Sequence, residues 1–223
     1  NPQITKSYAA DQKDYTMELV FKSSRYSFYL LSLIALPVLL NAGFLLDLWL
    51  KDVPARSESF VILALILSMS DCISNPLMTL MLATGNIRNY QLIVGGLQLL
   101  NLPVSYLVLK AGAPPESILV VAIVISQICL FVRVVLLHGM TGLPVGKFIR
   151  QVYLRVLKVA VLAFLPAWWF TSIIGEGVWA FLGSCAFTVI FLSGVIWLAG
   201  LNSDERRFLW EKIRSYSERR SRG

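Results

Sequence analysis

The sequence predicts an all-α integral membrane protein with six transmembrane helices. Three observations carry that reading. Hydrophobic residues make up 57% of the chain and charged residues only 15%, against about 25% charged in a soluble domain. The apolar residues collect in six runs, at 26–50, 59–84, 91–109, 117–138, 159–174 and 178–201, each near the roughly 20 residues that cross a hydrocarbon core about 30 Å thick. The basic residues alternate by loop: segments 1–25, 85–90, 139–158 and 202–223 hold sixteen of the twenty Lys and Arg. By the positive-inside rule these segments and both termini are expected in the cytoplasm.

Residues 1–25 are polar, with Ile4, Tyr8, Tyr15 and Leu19 recurring at multiples near four; an interfacial helix feeding the first span is expected. Pro37 lies inside that span and Asn41 and Asp47 near its far end. A proline frees a backbone carbonyl and kinks a helix, so Pro37, Pro76, Pro103 and Pro166 are the candidate kink positions. The fourth span carries Ser126 and Gln127 near its middle and Arg133 near its end. Segment 139–158 reads as a basic amphipathic connector on the membrane surface, with Phe148, Ile149, Val152, Tyr153 and Val156 on its apolar face. Two further spans follow, at 159–174 and 178–201. The tail at 202–223 opens on Ser203-Asp204-Glu205, a helix start by capping and dipole logic, with an apolar face at Phe208, Leu209, Ile213 and Tyr216. The domain reading is thus a cytoplasmic segment (1–25), four spans (26–138), the connector, two more spans and a basic tail.

The chain centres on the second and third spans. The second carries Ser68, Ser70, Asp71, Ser74, Asn75 and Pro76 in an apolar run, and the third carries Gln98, Asn101, Pro103 and Ser105. Asp71 and Asn75 are four apart and share a helix face. Counted from Ile87 in the turn, Asn75 and Asn101 lie at matched depth, roughly 18–21 Å along their helices at 1.5 Å per residue. Polar groups at that depth are costly unless they face protein or water. Two facing polar stripes therefore suggest a lined interior, although Gln98, Asn101 and the serines read equally well as hydrogen-bonding glue between helices. Asp71 is a functional candidate because a carboxylate inside a span rarely has a purely structural reason to be there.

Chemistry on the membrane has little support. No G-x-S-x-G, H-E-x-x-H, phosphate-binding glycine loop or Cys/His cluster is present. Cys72, Cys129 and Cys185 sit in apolar runs without a motif spacing, and His138 is the only histidine. No metal and no cofactor is expected. The short loops on the non-cytoplasmic side, about five to eight residues each, leave no platform for an enzyme there. Kinked spans around a polar interior are the outline of a transporter or of half of one. The positive charge belongs to topology and to anionic lipid headgroups; nucleic acid is not an expected partner.

A set of ordered motifs goes further. These are Asn1-Pro2-x-Ile4-Thr5-Lys6-Ser7-Tyr8-Ala9-Ala10, Arg25-Tyr26-Ser27-Phe28, Leu48-Trp49-Leu50, Ser74-Asn75-Pro76-Leu77, Ala83-Thr84-Gly85-Asn86-Ile87, Tyr90-Gln91, Asn101-Leu102-Pro103-Val104-Ser105-Tyr106 and Lys110-x-Gly112-x-Pro114-Pro115. In this order the chain resembles the C-terminal half of bacterial polysaccharide flippases, the lipid-linked oligosaccharide exporters of the multidrug/oligosaccharidyl-lipid/polysaccharide superfamily. It is similar in particular to lipopolysaccharide biosynthesis proteins of the Bacteroidetes type. The resemblance implies a MATE-like two-lobe transporter whose last six spans are present and whose N-terminal lobe is missing from the given sequence. It implies alternating access in the inner membrane and an undecaprenyl-pyrophosphate-linked sugar repeat as substrate, with a polysaccharide polymerase complex as a further partner.

The resemblance also implies cationic groups for the pyrophosphate, with Arg25 and Arg88 at the cytoplasmic mouth and Arg133 deeper. Arg25, Arg88 and Arg133 read equally as positive-inside topology signals, and Arg133 also as a side chain snorkelling to the headgroups. The substrate-path candidates are therefore Arg25, Asp71, Asn75, Arg88, Gln98, Asn101 and Arg133. Two alternatives stay open: a multidrug antiporter of the same superfamily, in which Asp71 exchanges a proton or Na⁺ for a cationic drug, and a non-transporting scaffold in a polysaccharide assembly complex.

Overall fold

A computed structural model describes residues 2–175, 177–202, 205–207 and 210. Its elements are α1 (Pro2–Ala9), α2 (Lys13–Leu40), α3 (Ala42–Trp49), α4 (Ser57–Ala83), α5 (Arg88–Leu99), α6 (Asn101–Lys110), α7 (Ser117–Thr141), α8 (Val145–Phe148), α9 (Leu154–Ile174) and α10 (Val178–Val195). A π turn at Ile149–Tyr153 joins α8 to α9, and a second at Ile196–Gly200 continues α10. No strand occurs among the described residues. Six of these helical runs are long and apolar enough to cross a membrane: Lys13–Leu40, Ser57–Ala83, Arg88–Lys110, Ser117–Thr141, Val145–Ile174 and Val178–Gly200.

The bundle has a simple order. α4 packs on α2 and α7, α5 and α6 pack on α7, and α9 and α10 pack on each other and on α2. Leu30, Ile34 and Ile190 point outward and are 66–72% exposed. That exposure is costly in water and costs nothing in lipid, which is as apolar as leucine. Trp49, Trp168, Trp169 and Trp179 are exposed near the end of α3, the end of α9 and the start of α10. Alternating crossings bring those three places to one end of the bundle, as an interfacial aromatic belt requires.

The first span differs from its expected bounds of 26–50. Its helix begins at Lys13, because no Gly or Pro interrupts 13–36 and one face is apolar or small throughout: Met17, Val20, Phe21, Ser24 and Phe28 are all buried. The helix stops at Leu40. The Asn41 N–H reaches back only to the Val38 carbonyl, at 3.3 Å, and the Asn41 side chain takes over the Pro37 carbonyl at 2.8 Å. The same amide donates to Ser184 Oγ on α10 at 3.2 Å. Asn41→Leu strands both acceptors and is expected to cost about 1–3 kcal/mol. An unchanged unfolding midpoint in detergent would mean that Pro37 alone sets the break.

Residues 2–9 form their own short helix, separated from α2 by a turn with Asp11 at φ 55°. Ile4 is fully buried, and α1 packs on α2 and α4. Thr16 donates to Ser7 Oγ at 2.9 Å, tying the turn shut. Segment 139–158 also departs from expectation. It runs on from Val145 through the π turn into α9 without a break. Phe148 and Val152 are fully buried and Val156 nearly so, with the Phe148 ring edge-on to Phe21 at 5.7 Å. The apolar face of this basic segment is therefore covered by α2, not by lipid. Near the other membrane face, Arg56 donates to both carboxylate oxygens of Glu116, at 3.2 and 3.0 Å. A backbone hydrogen bond and this guanidinium hold the Glu116 carboxyl below the usual carboxylate range. Of the expected tail helix, Ser203, Asp204, Phe208, Leu209, Ile213 and Tyr216 lie outside the described residues; Glu205–Arg207 are helical.

A candidate polar cavity and the hydrogen-bond chain behind it

The third span breaks at Leu100. Pro103 has no N–H to give the Leu99 carbonyl, and the Leu100 N–H is shared between the Gly96 and Leu97 carbonyls at 3.3 and 3.2 Å. α4 and α5 touch each other little, and α7 packs on both. The wedge between them is a cavity of about 210 Å³ lined by Asp71, Ser74, Asn75 and Met78 from α4, Tyr90, Gln91, Val94, Gly95 and Gln98 from α5, and Arg133 from α7. A Cβ placed on Gly95 would meet no atom within 4 Å, so the wall there is open.

Four of the seven residues expected on the substrate path meet in this cavity: Asp71, Asn75, Gln98 and Arg133. The other three do not. Asn101 starts α6 outside it and accepts a hydrogen bond from Ser105 Oγ at 3.3 Å. Arg88 is exposed in the first turn of α5. Arg25 is buried at the other flank, ion-paired to Glu205.

Arg133 is 5% exposed, and its Nε donates to Tyr90 Oη at 3.0 Å. That bond fixes the plane of the guanidinium. Among the described residues no carboxylate comes within 4 Å of it, so Arg133 and Asp71 share the cavity without neutralising each other. Ser74 is buried against the same space, and its hydroxyl has no partner among the described residues.

Asp71 is held from behind by a chain of side chains. Ser126 Oγ donates to Asp71 Oδ1. With that proton committed, Ser126 can only accept from Ser70 Oγ, at 3.2 Å. Ser70 in turn accepts from Gln127 Nε2, and Gln127 Oε1 accepts from Tyr153 Oη at 3.1 Å. Every donor in the chain points toward Asp71, the arrangement that an ionised carboxylate at its end favours. The π turn carries Tyr153 into this chain, and such turns recur at functional positions in helices. At its Tyr153 end the chain borders a second, apolar cavity of about 530 Å³ between α2, α4 and α9, with Phe28, Leu36, Ile66 and Val156 in its walls.

The chain matches no protein-family model, no curated protein and no solved structure. The reading of the site therefore rests on its geometry. Sequence reasoning did not single out Tyr90, Gln91, Ser126, Gln127 and Tyr153 as site residues. One signal was present for the pair on α7: Ser126-Gln127 and Ser70-Asp71 are adjacent polar pairs in otherwise apolar helices, and such pairs satisfy each other when the helices pack. Tyr153 gave no such signal, since its place depends on the extra residue of the π turn.

Proposed function

We propose that this chain is part of a transporter that flips a lipid-linked oligosaccharide across a membrane by alternating access, and that the cavity between α4, α5 and α7 lies on the path of the substrate's polar part. The observation that carries the reading is the unneutralised pairing of Arg133 and Asp71 inside a span-deep polar cavity. A buried guanidinium whose two Nη groups have no hydrogen-bond partner among the described residues is suited to phosphate or carboxylate oxygens, and the amides of Asn75, Gln91 and Gln98 are suited to sugar hydroxyls. Asp71 and Asn75 are themselves exposed on α4. Lipid cannot cover a carboxylate at that depth, so this face meets water or more protein, and a second lobe of the same transporter is the proposed cover. The bacterial inner membrane, cytoplasmic termini and a polysaccharide polymerase as partner belong to this proposal.

A cation antiporter is the second reading, and the hydrogen-bonded carboxylate of Asp71 favours it. Asp71→Asn separates the two. In a flippase the neutral amide still accepts from Ser126, and export of the glycan should fall by no more than about tenfold, the worth of one hydrogen bond. In an antiporter the substitution should abolish drug efflux. Surface glycan and cation efflux, measured in the same cells with the full-length protein, decide between them.

A further inference from the structure

Of the walls of the polar cavity, α5 is the one least held. The span it opens is the least buried of the six. α5 touches α4 little and is carried by α7. Only Tyr90 and Val94 of α5 are buried. Tyr90 sits at one end, where its hydroxyl accepts from Arg133 Nε at 3.0 Å. At the other end α5 runs into the break at Leu100, whose N–H is split between two carbonyls at 3.3 and 3.2 Å. Val94 lies between these ends, roughly 6 Å along the axis from Tyr90 and 9 Å from Leu100.

Two further features favour movement. Gly95 and Gly96 are adjacent inside α5, and a Cβ added to either would meet no atom within 4 Å. No close approach requires glycine there, and a glycine pair loosens a helix. Behind the break lies an apolar recess of about 320 Å³, in which Leu97, Leu100 and Val104 face Val120, Val124 and Ile128 of α7. Close-packed helices leave few such voids. The three α7 residues are about half exposed, so the recess opens to lipid. Filling it with α5 exchanges one apolar neighbour for another at little cost.

We propose that α5 rocks about Val94 and so sets the width of the polar cavity. When its Leu97–Leu100 end settles into the recess, its Tyr90 end lifts from α7. The Tyr90–Arg133 hydrogen bond then breaks, the cavity widens and Arg133 Nε becomes free. The structure holds the latched position, with the bond made and the recess unfilled. The movement governs access to the cavity whatever the cavity carries; only its place in a transport cycle rests on the reading above.

The test is a spin-label distance measurement on the full-length protein in nanodiscs, with the native cysteines replaced by alanine. Labels at Asn89→Cys, on the moving end of α5, and at Leu30→Cys, on α2, report where α5 lies; both positions are exposed. The unlatched position should appear as a minor second distance. Tyr90→Phe keeps the ring, removes the latch and is expected to raise the ratio of the second distance to the first by about tenfold or more. Val124→Phe fills the recess from a half-exposed position and should return the Tyr90→Phe protein to the first distance. Val135→Phe adds the same ring to an exposed part of α7 outside the recess, and should leave the second distance in place. A distribution that Tyr90→Phe leaves unchanged overturns the proposal. So does a shift that Val124→Phe leaves standing, or one that Val135→Phe also reverses. A protein in which α5 moves in this way but no glycan is exported would remove the transport reading and leave the rocking helix standing.

Discussion

If the proposed flippase reading holds, Arg133→Met is expected to lower glycan export by about a hundredfold while leaving the folded protein at least as stable. The two halves of that expectation have separate physical causes. Contacts from a guanidinium to charged oxygens contribute about 1.5–3 kcal/mol each, and losing one strong contact or two weak ones, about 3 kcal/mol, corresponds to roughly a hundredfold. Stability behaves differently. Removing one member of a buried ion pair is costly because the partner charge is left behind. Arg133 has no such partner among the described residues, so its loss strands only the Tyr90 hydroxyl and removes a desolvated charge. Arg133→Lys keeps the charge but loses the Nε–H bond and the fork, so an intermediate export rate is expected. Export assayed beside the detergent unfolding midpoint checks both halves. A large loss of stability with export unchanged in the surviving protein would make Arg133 a packing residue.

Phe148→Ala is expected to destabilise the bundle by about 3–5 kcal/mol, the largest stability effect of any single change considered. Phe148 is fully buried, its ring edge-on to Phe21. An aromatic pair in that geometry adds about 0.5–1.5 kcal/mol to ordinary packing. Truncation leaves a cavity at the joint between α2 and the fifth span, and flanking helices cannot close it without moving the π turn. Phe148→Leu should recover more than half of the loss. Denaturant unfolding in detergent measures both variants. A loss below about 1 kcal/mol for the alanine is what a connector lying in the headgroup region would give, and would return segment 139–158 to the membrane surface.

The six spans were legible because their signal is local. Twenty apolar residues in a row mean the same thing wherever they fall, and turn residues such as Gly85 and Gly112 sit at positive φ where the runs end. The middle of the site was legible for a similar reason. Asp71, Asn75, Gln98 and Arg133 are polar groups in apolar surroundings, and they converge on one cavity. What escaped depends on partners far along the chain. The early start of the first helix follows from its packing against α4, and polarity before Tyr26 disguised it. The connector's apolar face looked like a lipid-facing stripe because periodicity reports an apolar face without naming what covers it. Arg25 read as an open cationic mouth because Glu205, which closes it, is 180 residues away.

The π turn at Ile149–Tyr153 holds one residue of slack, because it spends an extra residue on nearly the rotation of one α turn. Deleting one residue there would let the segment close as an ordinary α-helix with the helix after it still in phase. Val156, Val159 and Ala163, now buried, would keep facing the core. A deletion within α9 itself has no such slack and rotates everything after it by about 100°. In a scan of single-residue deletions, tolerance should therefore peak at 149–152 and fall sharply once the scan enters α9.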